Sequence, residues 1–425
     1  MKTLAVFLNE ERVGELDQDE SDVMRFTYAA EWLAKKSAVP ISNALPLTSE
    51  PYEGKKARPF FAGLLPEQAP RKRIAEILGI SEGNDFAMLE GIGGECAGAI
   101  SLLPDGVSPL PVENRLRTLG EQELESIVHD LPRRPLLAGE DGLRLSLAGA
   151  QDKLPVVMDG DSITLPLGNT PSTHIIKPEP VHFPGLVTDE LFCLMLAKSL
   201  GLNVPEVTHR MIGDKPCVIV ARYDRVRSAD GGVTRRLHQE DFCQALGRPP
   251  DRKYQQEGGP TVRECVTLLR EWSTTPVLDI RAFVDGLILN MLIGNADAHG
   301  KNYSMLYHGG ERRLAPFYDL VATIFWPELS RTLAMSIGQG KMVNDLNPAH
   351  FQRMANDAAL GWPMVRERLE ILADKVISTL EEGSLVRTSP DPNVAIRLSE
   401  MVKLRCQRMR EPTSASRVGS FVAPV

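Results

Sequence analysis

The chain has 425 residues, 43% of them hydrophobic and 24% charged, with ordinary glycine and proline counts of 34 and 31. That length and balance exclude a peptide, a disulfide mini-scaffold and disordered, collagenous or membrane chains, and leave room for two or three lobes. A net charge of −8, from 48 Lys+Arg against 56 Asp+Glu, excludes a surface that wraps nucleic acid as a whole, so any such contact has to be local.

The opening run MKTLAVFLNEERVGEL predicts a strand over Leu4 to Leu8, a turn at Asn9 to Arg12 and a second strand from Val13. Its apolar stretch is too short for a signal-peptide core, and the apolar run Phe283 to Ile293 falls short of the roughly 20 residues that span a bilayer, so a cytoplasmic protein without a membrane partner is expected. Phe26 to Lys36 has helix-like apolar spacing, and Pro40 and Pro46 bracket an extended Ile41 to Leu45. Helices are expected over Arg71 to Leu78, Asp85 to Glu90 and Glu121 to Val128, the last inside a proline-rich connection that sets a boundary near 105. Strand-rich runs at Leu143 to Val157, Ser172 to Lys177 and Cys217 to Tyr223, with a turn at Met158 to Asp161 and a helix over Thr188 to Leu200, read as an antiparallel sheet. Beyond about 238 the pattern is helical, through Val262–Trp272, Ile280–Gly294, His350–Asn356, Val365–Leu380 and Asn393–Arg410.

The organisation read from this is an N-terminal subdomain over 1–105, a β-rich part over 106–235, a helical lobe over 236–410 and a Ser/Pro-rich tail, 411–425, expected to be disordered. Cys96, Cys193, Cys217, Cys243, Cys265 and Cys406 form no C-x-x-C pair, which disfavours a zinc or redox motif and leaves reduced packing residues.

The stretch Gly294-Asn295-Ala296-Asp297-Ala298-His299-Gly300-Lys301-Asn302 ends an apolar helix and is followed by Tyr318-Asp319-Leu320. A carboxylate, an Asn five residues on and a second carboxylate form the set that phosphoryl transfer needs. Asp297 is suited to orient or deprotonate an attacking hydroxyl, and Asn302 and Asp319 to hold magnesium through hard oxygens. The alternative is a polar loop in which Asn295 or Asp297 caps the helix and Gly300 turns. His299 is read as a hydrogen bonder that organises the loop and Lys301 as a charge near the transferred phosphate, each against a bland surface role. Ser146-Leu147-Ala148-Gly149-Ala150-Gln151-Asp152-Lys153 is a small-residue turn that lets backbone amides approach phosphate, though by itself it is indistinguishable from a plain β-turn and it carries no Walker or dinucleotide fingerprint. Lys177 ends an apolar strand where an ammonium can pair with phosphates and with Glu190, itself equally explained as a first-turn acid. Val218 to Val220 running into Ala221-Arg222-Tyr223 has the character of an interlobe hinge whose backbone can meet adenine, with Tyr223 equally a packing residue. The basic clusters Arg71-Lys72-Arg73, Arg235-Arg236 and Arg405 with Arg408 and Arg410 are the candidates for DNA contact, and such clusters are usually solvated faces.

Taken in order, these motifs, with Val13-Gly14-Glu15-Leu16, Pro40-Ile41-Ser42, Phe60-Phe61, Leu64-Leu65-Pro66-Glu67 and Cys96-Ala97-Gly98-Ala99, resemble the HipA family of bacterial serine/threonine kinase toxins to about residue 405. The resemblance implies an α+β, protein-kinase-like fold (PI3/4-kinase-like) with a β-rich N-terminal lobe, an added N-terminal subdomain and an all-helical C-terminal lobe. It implies ATP and Mg2+ as cofactors, Asp297 as the catalytic Asp, Asn302 and Asp319 as metal ligands, Lys177 as the nucleotide lysine and Ala221 to Tyr223 as the hinge. The sequence departs from the best-known member at Ala221, where a Glu is expected. Ser146 falls where the family phosphorylates itself, ejecting the loop and switching the kinase off. The implied partners are a HipB-type antitoxin, operator DNA mainly through that antitoxin, and a protein substrate such as glutamyl-tRNA synthetase, an aminoacyl-tRNA synthetase, whose modification stalls growth. A small-molecule phosphotransferase and a catalytically silent co-repressor are the competing readings.

Overall fold

The computed structural model describes residues 2–109, 116–226 and 234–410, and the tail expected to be disordered lies outside the described residues. Strands β1 (Lys2–Leu8), β2 (Glu11–Gln18), β3 (Met24–Tyr28), β4 (Tyr52–Glu53) and β5 (Ile100–Pro104) form an antiparallel sheet in the order β4-β3-β2-β1-β5. The expected opening hairpin is β1 with β2, in which Leu4 faces Leu16 and Val6 faces Gly14. The helix expected from Phe26 is corrected: Met24, Phe26 and Tyr28 are buried at a spacing of two in β3, and only α1 (Ala30–Leu33) is helical. Phe26, Ala29, Ala30 and Leu33 follow the helical spacing i, i+3, i+4, i+7, but the alternation of Met24, Phe26 and Tyr28 and the pairing with β2 decide for the strand. Ile41 to Leu45 is likewise a tight turn closed by a Ser42–Leu45 bridge, not an extended run.

Helices α2 (Arg58–Gly63), α3 (Gln68–Leu78) and α4 (Asp85–Ile92) join this sheet in one core. A second antiparallel sheet follows, from β6 (Leu116–Thr118), β7 (Leu154–Asp159), β8 (Ser162–Pro166), β9 (His174–Pro178), β10 (Val207–Ile212) and β11 (Lys215–Ala221), ordered β10-β11-β9-β7-β8-β6. Helix α5 (Glu121–Asp130) precedes β7 and α6 (Leu186–Ser199) follows β9. Val156, Ile176 and Ile219 of this sheet bury themselves in the same cluster as Leu4, Phe26 and Phe61, so the two sheets share a core across position 105. The strand expected from Leu143 starts only at Leu154, because the segment before it pairs with the N-terminal layer instead.

The pair β12 (Arg225–Val226) and β13 (Arg235–Arg236) leads to β14 (His238–Asp241), α7 (Phe242–Ala245), α8 (Val262–Trp272) and α9 (Pro276–Ile293). Strands β15 (Ser304–His308), β16 (Glu311–Leu314), β17 (Thr332–Ile337) and β18 (Gly340–Met342) precede α10 (Pro348–Asp357), α11 (Trp362–Glu382), α12 (Ser384–Arg387) and α13 (Pro392–Arg410). The C-terminal lobe is therefore mainly helical but not wholly so: β14-β15-β16 form a three-stranded sheet and β17-β18 a hairpin. These strands are short, and β16 reads Glu-Arg-Arg-Leu, which offers no apolar alternation to find. Helices α6, α8, α9, α10, α11 and α13 share a second core around Phe192, Phe283, Phe351 and Val376. No helix among the described residues is long and apolar enough to cross a membrane, and all six cysteines are buried and unpaired.

Candidate active site

Between the second sheet and the helical lobe lies a cleft of about 340 Å³. Of the residues singled out in the sequence, Ala148, Gly149, Ala150, Gln151, Lys153, Lys177, Glu190, Ala221, Arg222, Tyr223, Asp297, His299, Lys301, Asn302 and Asp319 line it. Ser146 does not: it is fully buried beside the cleft, with Oγ donating to the Leu64 carbonyl at 2.9 Å.

Helix α9 delivers the loop that carries Asp297. It ends at Gly294, whose left-handed φ of 79° and crowding by Ile324, 2.2 Å from an added Cβ, admit no side chain. Asn295 then accepts the Asp297 amide at 2.9 Å and donates to Asn290 Oδ1 at 2.9 Å, so a buried amide pair sets the start of the loop. Asp297 opens into the cleft but is enclosed on most sides, and that enclosure pushes its carboxyl up to about 6. Asn302 Nδ2 donates to the Asp297 carbonyl at 3.3 Å, which orients its amide. His299 is buried, and burial followed by the charge of Lys253 pushes its imidazole down to about 3, so it is neutral. Lys301 is committed differently from the expected phosphate contact: its buried ammonium donates to Asp241 at 2.9 Å and the Gly63 carbonyl at 3.0 Å. Burial opposes that charge, and Asp241 and Glu67 outweigh it and hold the ammonium protonated.

Opposite stands Lys177 on β9, with Nζ 2.5 Å from Glu190 on α6 and 3.5 Å from Asp319. Burial works against the Lys177 charge, but the two carboxylates prevail and its pKa rises. Asp319 adopts a left-handed φ of 58°. Burial raises its carboxyl, and Lys177 and Lys153 overcome that to bring it below the usual range. Asp189, beside Glu190 on α6, accepts the Ala322 amide at 3.0 Å and so ties that helix to the segment after Asp319.

The small-residue loop is seated on the N-terminal layer, a relation no local pattern announced. Leu145 bridges Glu95 and Gly149 bridges Pro66 in parallel, the Ser146 amide donates to the Glu95 carbonyl at 2.8 Å, and the Glu67 amide donates to the Gly149 carbonyl at 3.1 Å. Gly149 has φ 108°, and a Cβ there would stand 2.8 Å from Lys153 Nζ. Burial, then the like charge of Lys177, pushes the Lys153 ammonium down to about 8.

At the hinge the Ala221 and Arg222 amides are taken by the Glu206 and Thr173 carbonyls at 2.8 and 2.9 Å. Tyr223 stacks on Tyr318 with centroids 5.7 Å apart. The Arg222 side chain turns away to Glu95, Ser172 and Asp224 at 2.8–3.0 Å. Glu95 is fully buried and also meets Arg225 and Arg236 at 2.9 Å; burial raises its carboxyl and the three guanidiniums together drive it well below the usual range. The basic clusters considered for DNA lose Arg236 to this network and Arg405 to the Met291 and Val343 carbonyls, while Arg71 binds Asp85 and the Glu82 carbonyl.

The groups around the cleft suit a nucleoside triphosphate with magnesium. Ile175, Leu194 and Val220 give it an apolar wall, and two crowded ammoniums, Lys153 and Lys177, gain by meeting an anion. Gln151 Nε2, Glu67 Oε1 and His299 Nδ1 are buried without hydrogen-bond partners on lining residues, a state that costs free energy unless something meets them. Asn302 and Asp319 offer two oxygen ligands, as magnesium takes when phosphates and water supply the rest.

A family model of the HipA-like C-terminal domain matches residues 145–382, and one of the HipA N-terminal domain matches residues 4–103. The chain belongs to the HipA family. A Sinorhizobium fredii protein named as a kinase, Y4mE, is 44% identical over 392 residues, 90% of this chain and 93% of its own. The serine/threonine-protein kinase toxin HipA of Shewanella oneidensis is 34% identical over 346 residues, 79% of this chain and 78% of its own. Among solved structures, the Shewanella oneidensis toxin–antitoxin complex of HipA, HipB and operator DNA matches with a TM-score of 0.83 at 28% identity, over 95% of this chain and 97% of that chain. The fold is accordingly the α+β, kinase-like one, and both HipA domains reach the cleft: Glu67 comes from the N-terminal match and Lys177, Asp297 and Asp319 from the C-terminal one.

Two functional candidates had not been singled out. Lys253 and Tyr254, between α7 and α8, line the cleft; Lys253 Nζ meets Glu67 at 2.7 Å and the Tyr254 hydroxyl donates to Asp297 Oδ1 at 2.9 Å.

Proposed function

We propose that this HipA-family chain is an ATP- and magnesium-dependent serine/threonine protein kinase, the toxin half of a toxin–antitoxin module. The observation that carries the reading is the convergence, from three separate segments, of the Lys177–Glu190 pair, Asp297 with Asn302, and Asp319 on one cleft. Glu190 holds the Lys177 ammonium where it can neutralise phosphate oxygens. Asp297, with its carboxyl near 6, is ionised at neutral pH yet basic enough to take the proton of a serine or threonine hydroxyl as it attacks. Asn302 and Asp319 would hold the magnesium. When bound, ATP and the ion supply the phosphoryl group and the charge neutralisation of its transfer.

The family resemblance extends the reading to regulation and partners. Self-phosphorylation on Ser146 would place about −1.5 to −2 charges beside the Leu64 carbonyl that its hydroxyl now meets at 2.9 Å, in a site closed to water. Such a group cannot stay, so the loop leaves and transfer stops. A HipB-type antitoxin, co-repression on operator DNA through it, and a translation factor such as glutamyl-tRNA synthetase as the protein substrate, with growth arrest and dormancy as the outcome, complete the proposal. The Shewanella oneidensis complex with HipB and DNA supports the partner.

The test is intact mass after incubation with magnesium and ATP, with the modified peptide mapped. Phosphate is expected on Ser146 in the wild type, at a rate about 10²–10⁴-fold higher than in Asp297→Asn. Equal rates in the two would remove Asp297 from the chemistry.

A further inference from the structure

The segment between α7 and α8 carried no motif, yet it is built as tightly as the catalytic loop it faces. Two short 3-10 turns, Pro250–Arg252 and Gln255–Glu257, flank Lys253 and Tyr254. The Tyr254 carbonyl accepts the amides of both Glu257 and Gly259 at 2.9 Å. A Cβ on Gly259 would stand 2.6 Å from the Lys253 carbonyl carbon and oxygen, so only glycine closes this turn. Across the gap, a Cβ on Gly300 would stand 2.7 Å from the Pro260 ring and 2.9 Å from the Cys243 sulfur of α7, so the catalytic loop's backbone packs directly on these side chains. Gln255 Oε1 accepts the Ser336 amide at 2.8 Å and fixes the far side. From this frame the Tyr254 ring packs edge-on against His299 with centroids 5.5 Å apart, and its hydroxyl reaches Asp297 Oδ1.

We infer that Tyr254 is a positioning residue for phosphoryl transfer: its phenol anchors Asp297 through Oδ1 and so aims Oδ2 at the acceptor hydroxyl. This deepens, and rests on, the reading of Asp297 as the acceptor-side carboxylate. The terminal torsion of an aspartate is broad, and the Asp297 side chain is open to the cleft on one side. A donor on one oxygen removes that freedom before the acceptor arrives, and misplacement of a reacting group by about 1 Å costs on the order of 10²-fold in rate. Lys253 adds a link: through Glu67 it anchors the same turn to the N-terminal layer, so the aim of Asp297 depends on how that layer is seated.

Tyr254→Phe keeps the ring on His299 and removes only the phenol oxygen. We would measure self-phosphorylation at saturating MgATP by intact mass, the KM for MgATP, and Tm, for wild type, Tyr254→Phe, Asp297→Asn and the double variant. The expected result is a maximal rate lower by about 10- to 100-fold with KM and Tm unchanged, and no further loss when Tyr254→Phe is added to Asp297→Asn. A Tyr254→Phe variant as fast as wild type beside a slow Asp297→Asn overturns the inference alone, as does a loss confined to KM or accompanied by a fall in Tm. A wild type that transfers nothing, or Asp297→Asn as fast as wild type, overturns the Asp297 assignment and the inference with it.

Discussion

Asp319 shows how much one residue is asked to do in this cleft. Its backbone is left-handed, a conformation that costs most L-residues free energy and that Asp and Asn tolerate best. Its carboxylate, brought below the usual range despite burial, is ionised and faces Lys177. Asp319→Asn separates the two roles: the amide accepts the backbone and loses the charge. The variant is expected to keep the wild-type Tm and to bind a fluorescent ATP analogue at least about tenfold more weakly in magnesium, the worth of one charge-assisted contact, with the difference disappearing in EDTA. A tenfold loss that persists in EDTA would assign Asp319 to Lys177 alone. Asp297, Asn302 and Asp319 were legible as candidates because their spacing along the chain is itself the signal, and Lys177 because it ends an apolar strand. Tyr254 and Lys253 were not, because their partners Asp297 and Glu67 lie 43 and 186 residues away, and nothing in either segment encodes the meeting. Lys301 was legible as a charge but not in its use, since Asp241 and the Gly63 carbonyl that claim it are equally remote.

For the elements, the sharpest dependence is that of the small-residue loop on two segments of the N-terminal layer. Glu95 pairs with Leu145 and Ser146 on one side, and Leu64 to Glu67 pair with Ser146 and Gly149 on the other. Ser146→Ala loses one hydrogen bond, about 1 kcal/mol, and is expected to keep the loop seated. Ser146→Asp turns a carboxylate towards the Leu64 carbonyl in a closed site and is expected to unseat it. Limited proteolysis reads the difference as faster cutting within 146–153 for Ser146→Asp only, with weaker nucleotide binding. Equal protection of both variants would mean that the seat tolerates a carboxylate beside the Leu64 carbonyl. The long helices α8, α11 and α13 were read from the sequence within a few residues because each repeats apolar positions over several turns, and α9 because its apolar run, buried on all sides, is too long for a strand. Helix α2 was missed for the opposite reason: Pro59 to Gly63 are all buried, so no polar face marks a period.

Across the whole molecule the first hundred residues are fastened to the helical lobe through β14, and that fastening carries a titration. His238 Nε2 donates to the Ile41 carbonyl at 2.8 Å, its Nδ1 is buried without a partner, and the Tyr307 and Phe60 rings lie 5.0 and 6.4 Å away. A second proton would have to sit on that enclosed Nδ1, and burial accordingly pushes the imidazole from 6.5 down to about 4. The folded protein thus refuses a proton that the unfolded chain accepts. Stability from this site is complete above about pH 6.5 and is lost as the pH falls towards about 4. At about 1.4 kcal/mol per unit over about 2.5 units the total is about 3.5 kcal/mol. Glu240, two residues on, runs the other way. Burial pushes its carboxyl up to about 7 despite hydrogen bonds from Ser42 and Asn43, so its contribution is present at low pH and lost as the pH rises through about 7. The two trends oppose each other in the raw profile, and a variant is needed to separate them. His238→Gln keeps a donor for Ile41 and cannot charge. Its Tm is expected to fall below that of the wild type at pH 7.5 and to draw level as the pH is lowered to 4.5, with Glu240 common to both proteins. A Tm difference that stays constant over that range would mean that His238 takes up its proton without disturbing the contact between β14 and the N-terminal layer.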